Sequence, residues 1–160
     1  TNSGNASLIN SEEGVLYAEI SALADDLTSR VITISDGTTL NRVSLEYWIT
    51  TNRFVFRLFS GGNEQVLGLY DIADITENNK VAIAWSGDSI TPSNGYFKAY
   101  IDGNEIYSKA GLLTFPVDTL NILDFSYATN NSSPFYGKNK ALAVYKTALT
   151  DEQLTLLTTI

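Results

Sequence analysis

Short runs in which apolar and polar residues alternate recur along this chain, each bounded by turn residues, and that period commits it to β-structure. Leu16, Ala18, Ile20 and Ala22 alternate with Tyr17, Glu19 and Ser21. Val43, Leu45, Tyr47 and Ile49 alternate with Ser44, Glu46 and Trp48; Phe54, Phe56 and Leu58 with Arg53, Val55 and Arg57; Val81, Ile83 and Trp85 with Ala82 and Ala84. The β-branched run Val31–Ile34 and the segments 96–101, 105–108, 120–127 and 141–145 continue the series. Asp36-Gly37, Gly61-Gly62, Ser86-Gly87-Asp88, Asn94-Gly95 and Asp102-Gly103-Asn104 mark the reversals, the last inside the strongest hairpin pattern, Ile101–Ile106. The expectation is an all-β sandwich of two antiparallel sheets. One helix is expected near the C-terminus. There Thr150 and Gln153 match a capping box, Asp151 and Glu152 suit the first turn, and Leu149 and Leu154 are placed for a hydrophobic staple.

A length of 160 residues suits one domain, assigned to 12–160 after a polar lead-in over 1–11. Cysteine and histidine are both absent. Their absence removes disulfides, thiol nucleophiles, imidazole acid–base chemistry and the zinc sites built on either residue. A net charge of -8 repels phosphate backbones, so no nucleic-acid partner is expected. No apolar run approaches the ~20 residues of a spanning helix, so no membrane insertion is expected. Methionine is missing even at position 1, and the chain reads as a piece of something longer.

Parity fixes the faces of the strands near 42–50 and 53–60. A two-residue loop, Thr51-Asn52, would pair Ile49 with Phe54, Tyr47 with Phe56 and Leu45 with Leu58. The opposite face would then hold Glu46 beside Arg57 as a cross-strand ion pair worth ~0.2–1 kcal/mol. Trp48 and Arg42 would share that polar face. Trp85 shares parity with Val81 and Ile83 and belongs to the core.

The C-terminal stretch Phe135–Leu154, with Gly137, Val144-Tyr145 and Ala148-Leu149-Thr150-Asp151, resembles the closing segment of concanavalin A-like, laminin-G-like jelly-roll domains. The segments 79–83 and Gly95–Gly103 are similar to adjacent strands of that family. Those at 35–43 and 52–62 resemble versions found in virus and phage structural proteins. Asn139 departs from the family's aliphatic residue at that point and predicts a bulge. The resemblance implies a concanavalin A-like jelly roll with sugars bound at a loop rim or on a sheet face, and calcium in many members.

Catalysis finds little footing in these residues. The Glu-x-Asp-x-Glu pattern of related glucanases is absent, and Glu12-Glu13, Asp25-Asp26 and Asp151-Glu152 are adjacent residues that would face opposite ways on a strand. Tyr96-Phe97-Lys98-Ala99 resembles a stretch of alginate lyases, which also need a histidine this chain lacks. No catalytic residue is assigned. Asp26, Asp36, Asp88, Asp102 and Asp124 are candidate calcium ligands, although no ligand spacing singles out a metal site.

Sugar recognition needs aromatic faces beside planar polar groups. Arg42, Glu46, Trp48 and Arg57 supply that mix on one strand face, and Tyr127 and Asn130 supply it in a polar loop. The competing reading of Trp48 is a ring buried beneath a short loop. The first functional expectation is therefore a non-catalytic recognition domain on a virion surface, binding cell-surface glycans. Its alternatives are a virion assembly domain that contacts other virion subunits, or a carbohydrate-binding module of a secreted bacterial polysaccharide-degrading enzyme. Self-association into a homo-oligomer is compatible with each.

Overall fold

The computed structural model describes residues 6–127 and 132–159. Strands β1 (Glu13–Ala22), β2 (Arg30–Ser35), β3 (Arg42–Tyr47), β4 (Arg53–Ser60) and β5 (Asn63–Asp71) come first. They are followed by β6 (Asn79–Ser86), β7 (Tyr96–Ile101), β8 (Asn104–Ala110), β9 (Ile122–Asp124) and β10 (Gly137–Tyr145), and helix α1 (Asp151–Thr158) closes the chain. Two five-stranded antiparallel sheets form, in the orders β10-β1-β6-β7-β8 and β5-β4-β3-β2-β9. This is the expected jelly-roll sandwich.

The alternating residues meet between the sheets. Leu16, Ile20, Ile83, Trp85 and Phe97 of the first sheet face Ile32, Ile34, Leu45, Phe54, Phe56 and Leu58 of the second in one cluster, nearly all of them fully enclosed. Burying each such side chain contributes about 1.5–3 kcal/mol. Trp85 donates its ring N–H to the Ser11 carbonyl at 3.1 Å, so its one polar atom is satisfied. The β7–β8 reversal uses Asp102 and Gly103 at φ 47° and 81°, the left-handed pair that a two-residue hairpin requires.

Helix α1 lies on the outer face of the first sheet. Leu154 packs there with Val15, Tyr17, Ala82, Ala84 and Tyr100, and Leu149 joins the same cluster. The capping box forms as read: the Gln153 amide donates to Thr150 Oγ1 at 3.3 Å, and the Thr150 amide donates to Gln153 Oε1 at 2.9 Å. Lys98 reaches Asp151 at the helix start, and Tyr100 donates its hydroxyl to Glu105 at 3.0 Å. Within the Tyr-Phe-Lys-Ala stretch it is Lys98 that ties the sheet to the helix.

The structure differs from the sequence reading at three points. The β3–β4 register is slipped by two residues, with Tyr47 opposite Phe54 and Leu45 opposite Phe56. The cause is Asn52. It adopts φ 52°, receives the Ile75 amide at 3.0 Å and donates to the Ala73 carbonyl at 2.9 Å, while the Trp48 amide bonds to the Arg53 carbonyl at 3.0 Å. The connection is therefore longer than two residues, and Ile49 turns out to solvent. An even slip keeps every side chain on its predicted face. Secondly, the strand expected over 120–127 is paired only at 122–124, because the chain then turns back, with the Tyr127 amide on the Ser132 carbonyl at 2.9 Å. Thirdly, β5 was not expected: its Leu67 and Leu69 point to solvent, which inverts the usual pattern. At Asn139 the β1–β10 register shifts as the sequence implied, with Glu19 opposite Ala141 but Ile20 opposite Asn139.

Candidate functional site

The outer face of the second sheet carries buried charged and polar side chains among apolar ones. Register places three rows of side chains across it. One runs Leu69, Val55, Glu46, Val31; the next runs Leu67, Arg57, Ser44, Thr33, Asp124; the third runs Glu64, Phe59, Arg42, Ser35, Ile122. The loop after β9 brings Tyr127 onto this face. Five of the six sequence-assigned residues, Arg42, Glu46, Trp48, Arg57 and Tyr127, therefore gather at one place. Asn130 lies outside the described residues.

Glu46 is the hub, and it is 0% exposed. Its Oε1 accepts the Ser44 hydroxyl at 2.7 Å and lies 3.5 Å from Arg57 Nε, and its Oε2 accepts the Tyr127 hydroxyl at 3.0 Å. Burial pushes its carboxyl above the ordinary glutamate value against those three partners. The Tyr127 hydroxyl is pushed up to about 12 by burial and by the Glu46 charge. Glu46 therefore holds Arg57 and Tyr127 in place and does not itself reach solvent, which corrects its expected role as a direct contact.

The two arginines differ. Arg57 also donates to Glu64 at 2.6 Å, and its guanidinium carbon sits 5.1 Å from the Trp48 ring centroid. Arg42 forms no ion pair among the described residues. Its guanidinium lies 3.8 Å from the Phe59 ring centroid and 5.7 Å from that of Tyr127, and it donates to the Thr39 carbonyl. Burial lowers its affinity for its proton. Among the described residues, Arg42 Nε and Thr33 Oγ1 are buried without a hydrogen-bond partner, and Arg57 Nε has the 3.5 Å approach to Glu46 in place of a hydrogen bond. A buried donor left unmet costs about 1–3 kcal/mol.

Sequence reasoning missed Phe59, Glu64, Leu67, Leu69 and Thr33. Parity with Arg57 was a sufficient signal for Phe59; nothing local marked the others. The candidate calcium aspartates are otherwise engaged. Asp26 pairs with Arg30 at 2.8 Å, Asp36 accepts the Thr38 amide at 2.8 Å, Asp88 accepts the Ile90 amide at 2.7 Å and Asp102 accepts the Lys80 amide at 2.9 Å. Asp124 is lifted above the usual aspartate range by burial. Among the described residues no group of three acids is placed to hold a metal ion. A concavity of about 380 Å³ lies at one end of the sandwich, lined by Tyr70, Asp71, Asp74, Glu77, Asn79 and Asp102 among others.

No protein-family model matches the sequence, and no curated protein matches it. The fold has solved counterparts. The carbohydrate-binding module CBM40 of the Ruminococcus gnavus IT-sialidase superposes with a TM-score of 0.71 at 17% identity, covering 94% of this chain and 84% of that one. The same module is known with α2,3- and α2,6-sialyllactose bound. Domain 4 of AbnA, a GH43 extracellular arabinanase from Geobacillus stearothermophilus in complex with arabinotriose, gives 0.69 at 17% identity, covering 98% and 71%. A heptameric SAP-like pentraxin from Limulus polyphemus gives 0.64 at 10% identity, covering 92% and 70%. At these identities what is shared is the sandwich fold.

Proposed function

We propose that this chain is a non-catalytic glycan-binding module that takes an acidic saccharide on the outer face of its second sheet. The observation that carries the reading is Arg42, a buried guanidinium with no carboxylate partner among the described residues, framed by Phe59 and Tyr127 beside Arg57. A saccharide carboxylate supplies the missing acceptor and counter-charge, and the aromatic rings supply apolar contact for the sugar's C–H face. Binding is favoured over hydrolysis because Glu46 is sealed from solvent and held by three partners, so it is not placed to deliver a proton to a leaving group.

The likeness to modules of a sialidase and an arabinanase favours a carbohydrate-binding module of a secreted, extracellular enzyme over the virion-surface and virion-assembly readings. The bound sialyllactose of one neighbour makes sialosides the first acidic glycans to try. The test is a glycan array carrying matched acidic and neutral saccharides, probed with the wild-type chain and with Arg42→Met. Retention on acidic glycans that is lost in the variant supports the reading. Retention on neutral glycans alone, or no retention, overturns it.

A further inference from the structure

Strand edges present unpaired main-chain groups, and proteins keep them from pairing with charges, bulges or brevity. The sandwich applies these devices unevenly. β9 is three residues long; β8 carries Glu105, Lys109 and a register shift; β10 carries Lys138, Lys140 and a register shift. Among the described residues β5 pairs with β4 on one side and with no strand on the other. Its central stretch Val66-Leu67-Gly68-Leu69-Tyr70 is uncharged, and Leu67 and Leu69 are 44% and 53% exposed on the outer face. Lys109 covers one main-chain acceptor, the Gln65 carbonyl, at the start of this stretch.

We propose that the free edge of β5 is a self-association surface, on which β5 of a second copy pairs antiparallel about a two-fold axis at Gly68. That axis sets Leu67 of each copy opposite Leu69 of the other on the outer face, and Val66 opposite Tyr70 on the inner face. Apolar meets apolar throughout, and a two-fold contact satisfies the same groups in both copies. Charge permits the approach although the chain carries -8. The carboxylates flanking the stretch are neutralised within each copy: Glu64 by Arg57 at 2.6 Å, and Asp71 by Arg53 at 2.5 and 2.9 Å.

The pairing joins two five-stranded sheets into one continuous sheet. The β4 strands of the two copies then lie three strand spacings, about 14 Å, apart, with Arg57 of each level with Val55 of the other. Two outer faces open in the same direction, which raises avidity for a multivalent surface. The association itself does not depend on the glycan reading.

Sedimentation velocity of the wild-type chain over about 10 to 500 µM, a range suited to a small interface, tests the pairing by mass action. The wild type shifts from monomer to dimer, while Leu67→Lys and Leu69→Lys each remain monomeric with an unchanged unfolding temperature, since both side chains face solvent. A wild type that stays monomeric throughout, or a dimer that persists in either variant, overturns the proposal. Hydrogen exchange on the wild type gives a reading free of any substitution. Protection of amides within 66–70 rises with protein concentration, and protection that is independent of concentration overturns the proposal.

Discussion

Tyr127 donates its hydroxyl to Glu46 at 3.0 Å across 81 residues of sequence. The bond ties the loop after β9 to the middle of β3, and the same carboxylate receives Ser44 and faces Arg57. Tyr127→Phe is expected to lower stability by about 1 kcal/mol, the loss of one hydrogen bond. Glu46→Ala strands the Ser44 and Tyr127 hydroxyls and the Arg57 charge together, and is expected to cost about 3 kcal/mol. Urea denaturation of both variants measures the two losses, and equal losses would show that Glu46 is not the hub.

The pH dependence of folding carries an identifiable signature of Glu46. Burial raises its carboxyl above the ordinary value of 4.5, so between that value and the raised one the folded chain keeps a proton that the unfolded chain has released. Its contribution to stability is full below the ordinary value and is lost as pH rises through the raised one. Asp71 and Asp151 act in the opposite sense. Their bonds to Arg53 and Lys98 hold them low, so their contributions are full above the ordinary aspartate value and are lost as pH falls. Histidine is absent, so no imidazole obscures the comparison. The Tm–pH profile of Glu46→Gln, subtracted from that of the wild type, should decline with rising pH above 4.5. A flat difference contradicts the assignment.

Much of this architecture was legible in the sequence because period-2 alternation survives an even register slip. Glu46 and Arg57 were expected to be directly opposite and are diagonal neighbours, yet they still pair on the predicted face. What escaped was non-local. Asn52 sets the β3–β4 loop through contacts with Asp25, Ala73 and Ile75, none of which sequence spacing reveals. β5 escaped because its apolar residues face solvent at a sheet edge. The burial of Glu46 was hidden for a related reason, since the side chain that covers it arrives from a distant loop.

Glycines test the packing at two contrasting points. Asn94-Gly95 reads as a turn that calls for positive φ, yet Gly95 sits at φ -84°. It is needed for close approach: a Cβ there would lie 1.8 Å from the Leu112 carbonyl oxygen. Gly95→Ala is expected to destabilise by about 3 kcal/mol through forced backbone movement. Gly61→Ala meets no atom within 4 Å and should cost only about 1 kcal/mol, for its left-handed φ of +57°. Thermal denaturation of the pair checks the ranking.

The two tryptophans give an optical test of where a ligand lands. Trp85 is fully enclosed in the core, whereas Trp48 is half-buried beside Arg57. Addition of an acidic glycan should change Trp48 emission and leave Trp85 unmoved. The change should therefore vanish in Trp48→Phe. A change that persists in that variant places the ligand elsewhere.

The claim on which the rest depends is that the outer face of the second sheet binds the glycan. The most direct measurement is a ¹⁵N–¹H titration of the labelled chain with sialyllactose, with lactose as the neutral control. The account predicts saturable shifts at the amides of Arg42, Glu46, Trp48, Arg57, Phe59 and Tyr127 with the acidic sugar, and none with lactose. Shifts confined to the cleft around Tyr70, Asp74, Glu77 and Asp102, or no shifts with either sugar, would contradict it.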